Sequence, residues 1–491
     1  MALEFLSLTE LRKLLDSKKV SSVELAKHFL SRIKNNGGNS YITVCEDGAL
    51  KQAGDADAFI NSPGDNPLLC GIPYAAKDLF CTDGVRTTAA SKILDQYLPP
   101  YNSTVINKLN GQKSVLLGKT NLDQFAHGSS GETSAYGATK NPWDETRMPG
   151  GSSSGSCAAV AAGLASWATA TETGGSIRVP AALTGVSGWK PTYGRVSRYG
   201  VIAMASSLDS IGAVAHSVED LARLAEVFSG RDEKDSTTGH QGVPAYAADL
   251  DADLEGVKVG VPKQYFIDGM NPGVKARVME SIKELEKLGA VIVDVDLPNT
   301  KYGSLVYAIV CPSEVASNLA RYDGIRYGHV TSDAKDLLQV YEKSRAEGFG
   351  NEAKRRILTG TYVLSAGYAD EYYKKAQRVR GLIVREFAEV FKQVDVLACP
   401  TTADVAPKLG HAADDPLFGY VTDQLNIPGS LAGLPALSIP CGFAKPADDD
   451  VELPVGLQII GPQWGEQKIL NVGYAYQQAT DWHKRHPRAA E

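Results

Sequence analysis

The chain has 491 residues, 43% apolar and 22% charged, values that suit a compact soluble α/β protein and exclude a mini-protein or a disordered chain. Its formal charge of -7 lacks the basic footprint of a protein that binds nucleic acid by itself, so any such role has to be shared with a partner. The seven cysteines, Cys45, Cys70, Cys81, Cys157, Cys311, Cys399 and Cys441, are odd in number and never form C-x-x-C, which points to reduced cytoplasmic thiols rather than disulfides or a metal site.

The N-terminal stretch "MALEFLSLTELRK" has an acid at Glu4 and no long apolar h-region, and is expected to be neither a secretory signal nor an Arg-rich transit peptide. Ser7 to Glu10 and Ser21 to Glu24 each fit S-x-x-E ahead of an amphipathic run, which predicts two capped helices on the outside of the fold. From residue 67, "GIPYAAK", "SVLLGKT" and "ASWATATE" read as short strands between helical stretches. Later "VKVGV", "AVIVDVDL", "DVLACPTT", "ALSIPCG" and "VGLQIIG" do the same, and this alternation predicts a largely parallel or mixed sheet covered by helices on both faces. The polar run over residues 229 to 256 reads as a surface loop, and the region after residue 313 as long polar helices. No fixed-period repeat, no linker and no apolar run of about 18 residues occurs, so neither a repeat array nor a membrane span is expected.

The stretch "PGGSSSGSCAAVAAG", residues 149 to 163, raises several readings. A linker would not run into small buried-type residues, and a P-loop would need G-K-[ST]. "GSSSG" satisfies G-x-S-x-G and nominates Ser153 as a hydrolase nucleophile, but "NPWDETRMPG" before it is not the strand such an elbow requires. Taken in order, "GIPYAAKD", "PGGSSSGSCAAVAAG", "TETGGSIRVPAALTGVSGWKPTYGRVS" and "SLDSIG" closely resemble the amidase signature family.

The resemblance implies one α/β domain over residues 1–491, an amidase signature fold built on a large twisted mixed sheet, with a helical N-terminal part over about 1–65 and a helical recognition region over about 300–395. It also implies a Ser-cisSer-Lys triad, with Ser176 as nucleophile, Ser152 as bridging serine and Lys77 as base, and a cis peptide at Gly151–Ser152. Such chemistry needs a neutral lysine, so burial has to lower its amine from about 10.4 toward roughly 7 to 8. A serine hydroxyl between base and nucleophile relays a proton because it donates and accepts at once. Thr173, Gly174, Gly175 and Ser176 are expected to turn backbone N–H groups toward one point as an oxyanion hole. Glu172, Val179, Ser154 and Cys157 depart from the usual family pattern and leave the triad positions intact.

"CPSEVASNLARYDGIRYG", "AKRRILTGTYVLSAGYADEYYKKAQRVR", "DDPLFGYVTDQLNIPGSLAGLPALSIPCG" and "LPVGLQIIG" are similar to the branch of the family that hydrolyses L-glutamine inside tRNA-dependent amidotransferases. Glutamine carries a carboxylate and an ammonium beside its amide, so its pocket needs a fixed cation and a fixed anion. By the resemblance, Arg356 would hold the carboxylate, Asp423 the ammonium, and Tyr307, Gly128 and Ser129 would line the pocket. The partners so implied are a B subunit that activates misacylated Glu-tRNA(Gln), or Asp-tRNA(Asn), and a small C subunit, in a heterotrimer. ATP and Mg would serve that other active site, with no cofactor in this chain. The competing readings are a stand-alone amidase for another small amide and a structural subunit without turnover.

Overall fold

Apolar runs separated by helices do build a sheet. In the computed structural model, which describes residues 2–412 and 417–487, the strands in chain order are β1 (Tyr41–Val44), β2 (Pro73–Lys77), β3 (Val115–Thr120), β4 (Trp167–Glu172), β5 (Ser187–Lys190), β6 (Ser210–Ala215), β7 (Lys258–Pro262), β8 (Val291–Val295), β9 (Val396–Pro400), β10 (Ala436–Ala444) and β11 (Leu453–Ile460). Residues 414–416 of the "DDPLFG" segment lie outside the described residues. The strands join in one mixed sheet, ordered β1-β3-β2-β4-β6-β5-β10-β11-β9-β7-β8. Its two flanks, β3-β2-β4 and β9-β7-β8, are parallel, while the centre from β4 to β9 is antiparallel. Every residue of β2, β3, β4, β5 and β6 is buried, as expected of strands covered on both faces.

Three strands were not expected from the pattern. β5 ("SGWK") and β6 ("SIGAVA") are short and rich in small residues, so pairing with covered neighbours rather than side-chain propensity makes them strands. β1 is a half-exposed edge antiparallel to β3.

The parallel pairing of β2 with β4 brings their C-terminal residues, Lys77 and Glu172, to the same end of the sheet. Ser210 pairs with Glu172 at the start of β6, which adds Asp209 to that end. Chain segments leaving a sheet there are the usual place for a site in an α/β fold.

Both N-terminal helices, Leu8–Asp16 and Ser22–Lys34, carry full capping boxes from Ser7 with Glu10 and Ser21 with Glu24. Leu8, Leu11 and Leu15 of the first and Leu25, Ala26 and Phe29 of the second are buried. Residues 231 to 256 contain no helix or strand, yet the loop is anchored by buried Tyr246, whose hydroxyl accepts from Arg195 Nε at 2.8 Å.

The late helical region is real. Helix Asn351–Leu364, which carries Arg356, lies against helix Gly303–Leu319 with Gly360 on Pro312. A Cβ on Gly360 would stand 1.9 Å from the Pro312 carbonyl oxygen and 2.9 Å from Ala316 Cβ. Gly360→Ala is therefore expected to destabilise the fold by about 1–3 kcal/mol despite alanine's better helix propensity, read as a lowered midpoint in urea unfolding.

Candidate active site

Lys77 ends β2 with its whole side chain buried. Its backbone N–H donates to Thr169 Oγ1 at 3.0 Å, which fixes the strand end to β4. Its Nζ lies 2.9 Å from Ser152 Oγ, 2.9 Å from Ser153 Oγ and 2.8 Å from Thr171 Oγ1. Burial lowers the amine to about 7, against the pull of Asp123, Cys157, Asp209 and Glu172, which favour its charge. A lysine held this way is neutral in a large fraction of molecules near neutral pH.

The ring of oxygens has a direction. Ser153 Oγ donates to the Thr171 carbonyl at 3.1 Å, so its oxygen can only accept from Lys77. A neutral amine has two N–H bonds and one lone pair. With Ser153 taking one N–H group, the other N–H and the lone pair fall to Thr171 Oγ1 and Ser152 Oγ.

The Gly151–Ser152 peptide is cis. Ser153 immediately precedes helix Ser154–Ala161, and turns rather than a strand come before it, so the strand-to-helix elbow that G-x-S-x-G demands is absent. Ser176 joins the group through its main chain, whose carbonyl accepts from Ser153 N–H at 3.1 Å.

The N–H groups of Thr173, Gly174, Gly175 and Ser176 donate to no acceptor among the described residues. What shapes this turn is Arg178, fully buried, whose Nη2 donates to the Gly174 carbonyl at 3.1 Å. Ser430 Oγ donates to the same carbonyl at 2.8 Å. In a trans peptide the carbonyl and the following N–H point opposite ways, so the Gly175 N–H is turned away from these donors and left open. Glu172 holds the other side: Oε2 accepts from Ile177 N–H at 3.0 Å and Arg178 N–H at 3.1 Å, while Oε1 accepts from Arg178 Nε at 2.9 Å. Burial opposes its charge, but Arg178 holds its carboxyl below the ordinary range. Glu172 thus spans both the helix start and the guanidinium.

Beside this turn lies a cavity of about 490 Å³, lined among others by Gly128, Ser129, Arg355, Arg356 and Tyr420. Lys77, Ser152 and Ser176 are not in its lining; Asp423 and Tyr307 stand between. A Cβ on Gly175 would be 2.9 Å from Asp423 Oδ1, and one on Gly174 would be 3.3 Å from the Tyr307 hydroxyl, so these glycines admit both side chains to the serine turn. Asp423 Oδ2 accepts from Ser129 Oγ at 2.9 Å. Its Oδ1 is buried with no hydrogen-bond partner among the described residues, and burial raises the carboxyl to about 8. Arg356 donates through Nε to Glu352 Oε1 at 2.7 Å and through Nη1 to Cys311 Sγ at 3.6 Å.

Every residue nominated from the sequence lies in this continuous region. Pattern reading missed Thr171, Arg178, Ser430 and Asp123. Arg178 carried a signal, an arginine directly after "GGSI", whereas Ser430 comes from a distant helix and has none.

The amidase family model matches residues 24–470. The chain is 53% identical over 483 residues to the A subunit of glutamyl-tRNA(Gln) amidotransferase from Nitrosococcus oceani, covering 98% of this chain and 99% of that protein. It is 50% identical over 484 residues to the A subunit of the same enzyme from Coxiella burnetii, covering 98% and 99%. Among solved structures, that of the glutamyl-tRNA(Gln) amidotransferase A subunit from Thermotoga maritima matches with a TM-score of 0.80 and 38% identity, over 97% of this chain and 95% of that one. The native peptide amidase of Stenotrophomonas maltophilia matches at 0.81 with 30% identity, over 98% of both. Among the described residues no helix is long and apolar enough to cross a membrane.

Arg178→Lys keeps a charge but loses the planar fork that reaches Glu172 and the Gly174 carbonyl together. Its expected effect is a fall in kcat of about tenfold or more at little-changed KM, the mark of donors that act only in the transition state, measured by steady-state amide hydrolysis.

Proposed function

The chain belongs to the amidase family, and from that premise we propose that it is the glutamine-hydrolysing subunit of a tRNA-dependent amidotransferase. The observation that carries the choice of substrate is the pairing of Arg356 on the cavity wall with the buried, unpartnered Oδ1 of Asp423. Free glutamine brings a carboxylate for the first and an ammonium for the second, and its side chain is directed past Gly174 to Ser176. Burial disfavours the charged form of that carboxyl, and an arriving ammonium stabilises it where a neutral amide substrate would not.

In this reading Ser176 Oγ attacks the carboxamide carbon. Its proton passes to Ser152, and the Ser152 proton passes to the lone pair of Lys77. The open N–H groups of the 173–176 turn hold the oxyanion. Lys77 returns its proton through Ser152 to the leaving nitrogen, ammonia departs, and water hydrolyses the glutamyl ester by the same relay. Ammonia then serves a partner that activates Glu-tRNA(Gln), or Asp-tRNA(Asn), with ATP and Mg. Subunits B and C supply that second site, which suits a chain with a charge of -7 and no Walker motif.

Glutamine hydrolysis is to be measured for the chain alone and with candidate B and C subunits, with and without aminoacyl-tRNA and ATP. Strong stimulation by partners is expected, and full activity on unrelated small amides without them would favour a stand-alone amidase. Ser176→Ala is expected to lose about a thousandfold or more in kcat; unchanged turnover would refute the nucleophile, and a wild-type Ser176 that no glutamine analogue labels would favour a structural role without turnover.

Asp423 gives a pH test. Its carboxyl titrates near 8, so at pH 7 most of it is protonated, and an arriving ammonium has to expel that proton. Calorimetry of glutamine binding to Ser176→Ala in buffers of different ionisation enthalpy is expected to show release of about one proton per site at pH 7, fading above pH 8. No proton release would remove Asp423 from ammonium recognition.

A further inference from the structure

Asp123 follows β3 and is fully buried, and has entered so far only as a charge acting on Lys77. Its contacts run both ways. Oδ2 accepts from Gly131 N–H at 3.0 Å, and Oδ1 accepts from Thr133 N–H at 3.1 Å and Thr133 Oγ1 at 2.9 Å. These bonds close the loop that presents Gly128 and Ser129 to the cavity. A Cβ on Gly128 would stand 2.6 Å from the Asp123 carboxyl carbon, so the loop lies directly on this side chain.

On the other side, Asp123 N–H donates to the Ser152 carbonyl at 3.3 Å. A Cβ on Gly151 would come within 1.9 Å of Asp123 Oδ2, so only glycine lets the serine segment rest on this carboxyl. One side chain therefore touches the loop that holds Ser129 against Asp423 and the segment that holds Ser152 against Lys77.

We propose that Asp123 is a positioning residue that sets the substrate loop 128–133 and the Lys77–Ser152 relay together, as a buried anion to which both are fastened. The inference rests on the relay reading of Lys77, Ser152 and Ser176. Its electrostatic part follows from the groups that face Lys77. Asp123 is the foremost of those that favour its charged form, ahead of Cys157 on helix Ser154–Ala161, Asp209 before β6 and Glu172 at the end of β4. Burial raises the Asp123 carboxyl above its ordinary value, and the Thr133 and Gly131 hydrogen bonds and Lys77 offset only part of that rise.

Asp123→Asn keeps the shape but replaces one acceptor oxygen by an N–H₂ group, which opposes either the Gly131 or the Thr133 N–H. It also removes the negative charge. The loop loosens, and the neutral amine of Lys77 is favoured further, so its titration moves to lower pH. A loss of packing alone would admit water to Lys77 and move that titration the other way.

The test reads the two ends separately in the full chain, with partner subunits present wherever the wild type needs them. Labelling of Ser176 by phenylmethylsulfonyl fluoride, followed by mass spectrometry across pH, reports the relay without any glutamine. Asp123→Asn is expected to shift the acid limb of that profile down by roughly half a pH unit or more, and to raise the KM for glutamine by about tenfold. An unmoved or raised limb overturns the coupling, whatever KM does.

Thr133→Val keeps the charge and drops one bond to Oδ1. It is expected to raise KM about three- to tenfold with the acid limb in place, and it decides the case if Asp123→Asn does not fold: unchanged KM, or a shifted limb, overturns the proposal. A wild-type Ser176 that the reagent does not label takes down the relay and this inference with it. Clean labelling without glutamine turnover counts against the substrate alone.

Discussion

A lysine amine with no exposure to water is tolerated only where its proton can leave or its N–H groups find acceptors, and Lys77 has both. Its Nζ is ringed by Ser152, Ser153 and Thr171, and burial brings its titration to about 7. Much of the surrounding structure serves this position. The parallel pairing of β2 with β4 brings Thr169 and Thr171 beside the lysine, and the small residues of helix Ser154–Ala161 allow the serine segment to close over it. A wider or wetter sheet end would leave an ordinary charged lysine there, unable to take a proton from a serine.

The second constraint is the buried pair of Glu172 and Arg178, both unexposed. A buried pair of this kind contributes little net stability, but removing one partner leaves a charge without compensation. Its value lies in geometry. Arg178 reaches Glu172, Gly174, Asn426 and Ser430 at once, which locks the serine turn to the helix at Ile427–Leu431. Asp423, just before that helix, comes into line with Gly175 by the same fastening.

Residues that depend on neighbours in sequence were legible, and those that depend on neighbours in space were not. The capping boxes at Ser7 and Ser21 and the apolar runs of β2, β3, β9, β10 and β11 follow local rules. β5 and β6 do not, because "SGWK" and "SIGAVA" become strands only when covered on both faces. In the site, Lys77, Ser152 and Ser176 came from the order of motifs, not from any one pattern; the single pattern G-x-S-x-G selected Ser153. That residue is one of the acceptors around Lys77, in a segment that no strand precedes. Ser430 and Asp123 had no sequence signal, since each acts through a fold contact.

The ionisation of Lys77 can be observed directly. Heteronuclear NMR of Cε-labelled lysine, with the Lys77 signal assigned by its loss in Lys77→Met, would follow the amine across pH. A midpoint near 7 is expected, far below the ordinary value of about 10.4. A Lys77 that stays charged to pH 9 or above would contradict the neutral-amine relay proposed for this site.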